Sequence, residues 1–89
     1  MANVRDLKKD INFVLGDIIE AVYLWEYENT DKDTKESQAI IDDAIATFDE
    51  LIAKVNKKDV ENKKSHFNAV RDELETKGKA LIERVNKLP

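Results

Sequence analysis

His66 is the only histidine in this sequence of 89 residues, and it directly follows Ser65. Successive side chains on a helix point about 100° apart, so a helical Ser65 and His66 could not act as a nucleophile and its base. A di-iron carboxylate centre needs a Glu-x-x-His pair on each of two helices, and a single histidine cannot supply both pairs. We expect no catalytic residue here, and we expect His66 to be a surface residue.

The acidic segment that contains Asp31 and Asp33 is the second place where the sequence could bind a ligand. These residues match the first and third positions of a calcium loop, but Lys35 and Glu36 stand where an oxygen ligand and then a glycine are required. The chain has no cysteine, which excludes a thiolate zinc site and a thiol nucleophile. We therefore predict no metal, no cofactor and no enzyme activity.

The composition indicates the elements that hold these residues. Hydrophobic residues make up 42% of the chain and charged residues 38%, which suits one small domain over residues 1–89. Two glycines and one proline are too few for the frequent turns of a β-sandwich or barrel. The sequence therefore predicts an all-α protein.

Apolar residues recur at steps of three and four along three segments, which is typical of amphipathic helices. We predict helices over residues 4–28, 34–56 and 60–87, with Asn3, either Asp33 or Thr34, and Asp59 as their N-caps. Short connections force neighbouring helices to run antiparallel, so the predicted fold is an up-down-up antiparallel three-helix bundle. Its mostly buried residues should include Leu7, Ile11, Ile18, Val22, Phe48, Ile52, Phe67, Leu74 and Leu81.

Two further details follow from the same periodicity. Ile45 falls on the predicted core face of the second helix. Gly78 falls on the core stripe of the third helix, where glycine costs ~1 kcal/mol of helix propensity relative to alanine. We place Gly78 level with residues 21–25 of the first helix and predict that it forms a notch for Trp25.

The first helix carries large apolar residues away from its core stripe. Phe13, Leu24 and Tyr27 lie near the opposite side, and Ala21 lies on the flank between. Aromatic residues are enriched at the centres of protein interfaces. We therefore predict a homodimer whose contact includes Phe13, Leu24 and Tyr27, with Ala21 and Tyr23 as neighbours.

Charge is unevenly distributed along the predicted bundle, although the formal net charge is only −4. The up-down-up path gathers basic residues at one end: Arg5, Lys8, Lys9, Lys54, Lys57, Lys58, Lys63 and Lys64. The other end gathers acidic residues: Glu20, Glu26, Glu28, Asp31, Asp33, Glu36, Asp42 and Asp43. A net negative chain whose basic end has no exposed aromatic residue interleaved with its lysines is not expected to bind nucleic acid.

The sequence also bears on location. No stretch reaches the 18 or so apolar residues of a membrane span, and the first residues lack a secretory leader, so we expect a cytoplasmic protein without a membrane partner. Residues 3–22, NVRDLKKDINFVLGDIIEAV, resemble small uncharacterised all-helical bacterial proteins. That resemblance implies no activity.

The function expected from the sequence is a non-enzymatic interaction or structural module that self-associates through its first helix. The alternative is an acidic inhibitor of the immunity or antitoxin kind. In that case the acidic surface of the second helix and of residues 28–43 would cover a basic site on an unidentified protein partner. A symmetric dimer alone would favour the module, and co-purification of a stoichiometric basic partner would favour the inhibitor.

Overall fold

The computed structural model describes residues 4–89, which form three α-helices: α1 (Val4–Glu28), α2 (Lys35–Val55) and α3 (Lys63–Asn86). The predicted bounds of α1 are confirmed. Helix α2 lies one residue inside its predicted range at each end, and α3 begins three residues later than predicted and ends one residue earlier. The predicted cap Asn3 lies outside the described residues.

Every pair of helices is in contact, and side-chain hydrogen bonds show how their ends meet. Glu26, near the end of α1, binds Ser37 at the start of α2. The end of α2 meets the start of α3 through Lys54 and His66. The described chain is a rod of 51 × 19 × 16 Å. The predicted up-down-up three-helix bundle is confirmed.

The core lies along the axis of the rod and is formed by one stripe from each helix. Six of the nine predicted core residues are buried, whereas Phe48, Ile52 and Phe67 are only half-buried against the core. The inward stripe of α2 is centred on Ile40, Ala44 and Leu51, so Phe48 and Ile52 lie at its edge. Ile45 lies further out and is 47% exposed, so its predicted place in the core was wrong. The buried apolar residues are Leu7, Ile11, Leu15, Ile18, Val22, Ile40, Ile41, Ala44, Leu51, Val55, Val70, Leu74 and Leu81.

At the starts of α2 and α3, a side chain binds one of the N–H groups that the helix leaves free. Asp33 Oδ1 accepts a hydrogen bond from the Lys35 N–H at 2.9 Å, while Thr34, at the cap position, makes no side-chain bond of this kind. The N-cap of α3 is Asn62, whose Oδ1 accepts from the Ser65 N–H at 3.1 Å. The predicted cap Asp59 was therefore wrong, because residues 56–62 are used to cross from α2 to α3.

Ser37 is the one buried polar residue among those described. Its hydroxyl oxygen lies 2.6 Å from Glu26 Oε2 and 2.9 Å from the Thr34 carbonyl oxygen, so its single proton is shared between two acceptors. Gln38 Nε2 donates to the same Glu26 oxygen at 2.8 Å. A carboxylate of α1 is thereby held in the first turn of α2, where the helix dipole favours negative charge.

Gly78 is buried, but its neighbour on α1 is Val14 rather than Trp25. A Cβ atom built on Gly78 would lie 3.1 Å from Val14 Cγ1. Helices α1 and α3 both start at the same end of the rod, so Gly78, sixteenth in α3, lies level with the middle of α1. The predicted notch is real, and the predicted occupant was wrong. Trp25 lies near the far end, where its Nε1–H donates to the Pro89 main-chain oxygen at 3.1 Å.

Ion pairs cross the seam between α2 and α3. Lys54 Nζ donates to both carboxylate oxygens of Glu73, at 2.8 and 2.7 Å, and Lys77 Nζ lies 2.9 Å from Glu50 Oε2. The hydrogen bond from Lys54 is the main cause that lowers the pKa of Glu73, and the bond from Lys77 is the main cause that lowers the pKa of Glu50. Further along the seam, Arg84 binds Asp43 and Glu36.

The core assignment predicts that replacing two isoleucines of α2 by alanine lowers the free energy of unfolding by different amounts. Ile40 is fully buried, so Ile40→Ala should lower the free energy of unfolding by ~2–5 kcal/mol. Ile45 is half in water, so Ile45→Ala should cost well under ~2 kcal/mol. Urea titration followed by circular dichroism measures both losses of unfolding free energy. Equal losses would contradict the assignment of Ile40 to the core and of Ile45 to the surface.

The two glycines form a second matched pair. No atom lies within 4 Å of a Cβ built on Gly16, so Gly16→Ala should gain the full helix-propensity difference of ~1 kcal/mol in dilute solution. Gly78→Ala should gain nothing, because its Cβ would crowd the stiff side chain of Val14. In a Val14→Ala background, thermal unfolding should show the gain restored. If Gly78→Ala alone gains as much stability as Gly16→Ala, the close approach of Gly78 to Val14 is refuted.

The lowered pKa of Glu73 predicts a dependence of stability on acid. A carboxyl whose pKa is lower in the folded state stabilises the fold above its unfolded pKa of ~4.3, and this contribution is lost as pH falls through the folded value. Glu73→Gln should therefore reduce the drop in melting temperature between about pH 6 and about pH 3. Glu75→Gln, at an exposed residue of the same helix, is the control and should leave the drop unchanged.

Candidate functional site

The outer face of α1 consists of the exposed residues opposite its buried stripe. Burial of Leu7, Ile11, Leu15, Ile18 and Val22 turns the other side of the helix to solvent. The exposed fractions of the large residues there are 58% for Phe13, 54% for Tyr23, 57% for Leu24 and 82% for Tyr27, and Ala21 is exposed as well. All five predicted contact residues are thus accessible in the monomer. Their contact with a second copy stays a prediction.

The exposed apolar residues of α1 form two separate areas. Tyr23, Leu24 and Tyr27 lie within about one turn of each other near the end of the helix. Phe13 is ten residues before Tyr23, which is ~15 Å along the helix axis. Charged residues of α1, including Glu20, and the exposed Gly16 stand between the two areas. A partner that covers both areas must therefore lie along the helix rather than against one end of it.

An apolar groove adjoins Phe13 on its α3 side. The groove has a volume of about 470 Å³, and its walls include Phe13, Val14, Leu74, Gly78 and Ile82. It is followed by a second hollow of about 310 Å³ that shares Val14 and Ile82 and is also lined by Ala21. The groove was not predicted from the sequence. Gly78 was nevertheless a signal for it, because a residue without a side chain leaves space between helices.

Charged residues border the groove and the outer face of α1. Lys9 Nζ lies 5.8 Å from the centre of the Phe13 ring, close enough for a cation–π interaction. Arg71 of α3 lies 3.8 Å from Asp10 at the edge of the groove. These contacts leave the apolar faces of Phe13, Tyr23 and Leu24 largely in water, so the surface suits a hydrophobic contact with a charged border.

Ser65 and His66, the residue types best suited to catalysis, make structural contacts. His66 is half-buried, not a surface residue as predicted, because its ring packs beside Phe67 and its Nε2 lies 2.6 Å from the Lys54 carbonyl oxygen. A carbonyl can only accept, so Nε2 carries the proton. The Ser65 N–H is bound by the Asn62 cap. Because His66 Nε2 is bound to a backbone carbonyl of α2, it is not free to accept a proton from Ser65.

Within residues 4–89, no group of three or more histidine, cysteine, aspartate or glutamate side chains is arranged to hold an ion. In the acidic segment, Asp33 caps α2 instead of facing its neighbours. None of the helices described is both long enough and apolar enough to cross a lipid bilayer.

The acidic surface considered for the inhibitor alternative is partly neutralised within the chain. Arg84 of α3 pairs with Asp43 and Glu36, and its pKa is raised mainly by the hydrogen bond to Asp43. Fewer carboxylates therefore remain to meet a basic partner than the sequence suggested.

Comparison with other proteins gives no further identification. No protein-family model, no curated protein and no solved structure matches this chain.

Proposed function

We propose that this protein is a non-enzymatic interaction module that self-associates through the outer face of α1. The observation that carries the proposal is the exposure of Phe13, Tyr23, Leu24 and Tyr27 on a helix whose opposite stripe is already buried. Burial of apolar surface contributes roughly 25 cal/mol per Å², and the bundle itself leaves this surface uncovered. The neighbouring groove enlarges the apolar area that a second copy could cover.

Self-association also fits the shape of the molecule. A rod of 51 × 19 × 16 Å offers a long flank, and a specific interface needs on the order of 1,000 Å² of total buried surface. A two-fold axis would let the same face cover itself and close the assembly at two copies.

The fold contains no cysteine and needs no oxidising compartment, which supports a cytoplasmic location as part of the proposal.

The inhibitor alternative has weaker support. It requires free carboxylates on α2, and two of them, Glu36 and Asp43, are paired with Arg84. A basic protein that co-purifies in equal amount with the full chain, and that is released by Asp42→Lys, would favour the inhibitor over the self-associating module.

Multi-angle light scattering at several protein concentrations tests the proposal. We expect a dimer whose dissociation constant rises at least roughly tenfold for Phe13→Glu and for Leu24→Glu, because each change buries an unpaired charge in the contact. Ile45→Glu is the matched control, since Ile45 has similar exposure but lies on α2. A monomer at all concentrations, or a dimer that loses affinity only with Ile45→Glu, would refute the proposal.

A further inference from the structure

We propose that the second copy lies antiparallel to the first along α1, with Gly16 of both copies at the two-fold axis. This inference rests on the proposed self-association and adds the orientation and the register of the two helices. Three independent features support it: the position of Gly16, the spacing of the outer-face residues and the distribution of charge along the rod.

Gly16 is the middle residue of α1 (Val4–Glu28), and it is exposed. Glycine at such a position disfavours the helix relative to alanine, and the bundle gives no reason for it, because a Cβ there would meet nothing within 4 Å. Gly78 differs, since its missing side chain makes room for Val14. A glycine allows another backbone to approach closely, and the space beside Gly16 lies outside the monomer.

The outer face has the spacing of a helix–helix seam. Lys9, Phe13, Gly16, Glu20, Tyr23 and Tyr27 follow one another at steps of four, three, four, three and four, which keeps them on one side of α1. The antiparallel arrangement with the greatest overlap puts Gly16 opposite Gly16. It also places Lys9 of one copy beside Glu20 and Tyr23 of the other, and Phe13 near the gap left by Gly16.

The charges of α1 oppose its own dipole. In its first two turns Arg5, Lys8 and Lys9 outnumber Asp6 and Asp10, and its last turns contain Glu26 and Glu28 but no basic residue. The helix dipole favours the reverse order of charge. An antiparallel copy brings the acidic end of one α1 beside the basic end of the other and offsets this unfavourable order.

The rest of the rod has the same asymmetry. At the end where α1 begins, Lys57, Lys58, Lys63 and Lys64 outnumber Asp59 and Glu61. At the opposite end, acidic residues such as Asp31, Asp33 and Asp42 outnumber Lys32 and Lys35. The two ends are separated by most of the 51 Å length, far beyond the ~8 Å screening length at physiological salt. A parallel dimer would bring like charges together at both ends, whereas the antiparallel dimer pairs opposite charges at both.

Charge reversal tests the register. Lys9→Glu and Glu20→Lys change exposed residues, and each should raise the dissociation constant by roughly tenfold because the pair occurs twice across the axis. The double variant restores the pair in reverse and should return the affinity to within about threefold of the original. Sedimentation equilibrium measures all three, and a double variant no tighter than the single variants would overturn the inference.

Crosslinking through introduced cysteines tests the orientation of the two copies. The chain itself has no cysteine, so each crosslink reports only on the introduced positions. With a short bismaleimide, Asp17→Cys, at an exposed position next to Gly16, should crosslink to itself. Arg5→Cys and Glu28→Cys should each fail alone and crosslink when mixed. Asp49→Cys, at an exposed position on α2, is the control and should not crosslink.

The outcomes separate this inference from the proposed function. A dimer that weakens with Phe13→Glu but crosslinks through Arg5→Cys alone would leave self-association standing and overturn the antiparallel arrangement. A chain that stays monomeric in scattering and forms no crosslink at any position would overturn both.

Discussion

Burial of one apolar stripe of α1 between α2 and α3 is the interaction on which the rest of this structure depends. Leu7, Ile11, Leu15, Ile18 and Val22 supply that stripe, and α1 contacts both other helices. With no disulfide available, packing is the main source of stability. Because a helix is stiff, fixing one side of α1 also fixes which residues point away from the core. The exposed face with Phe13, Tyr23 and Leu24 is therefore a direct consequence of how the core is closed.

Polar side chains then determine how the helices meet at the ends of the rod. Glu26 of α1 binds Ser37 in the first turn of α2, and His66 of α3 binds a carbonyl in the last turns of α2. The first contact binds the buried Ser37 hydroxyl, and the second adds a hydrogen bond at the Lys54 carbonyl, which also accepts from the Lys57 N–H. The buried Ser37 hydroxyl and the half-buried His66 imidazole thus stabilise the connections between successive helices. The residue types best suited to chemistry are therefore engaged in structural hydrogen bonds.

The α2–α3 and α1–α3 seams of the bundle differ in chemistry, and the difference has a functional consequence. Ion pairs such as Lys54 with Glu73 bridge α2 and α3, where each exposed pair contributes little and keeps the surface polar. The seam between α1 and α3 has instead an open apolar groove beside Phe13 and Gly78. Association is favourable where apolar surface can be removed from water, so a partner should approach from the α1 side. The proposed module and its antiparallel dimer both depend on this asymmetry.

The sequence by itself determined the all-α class, the three helices, the up-down-up path and most of the core. Periodicity of apolar residues is a local property, so Leu7, Ile11, Ile18, Val22, Leu74 and Leu81 could be assigned without neighbours. It also placed Phe13 and Leu24 outside the core stripe. Only the tertiary structure decided which edge residues are fully covered, where α3 begins, and what lies beside Gly78. These depend on the rotation of each helix about its axis and on its height along the rod. A repeat of three and four residues does not fix either quantity, because both are set by how side chains from different helices fit together.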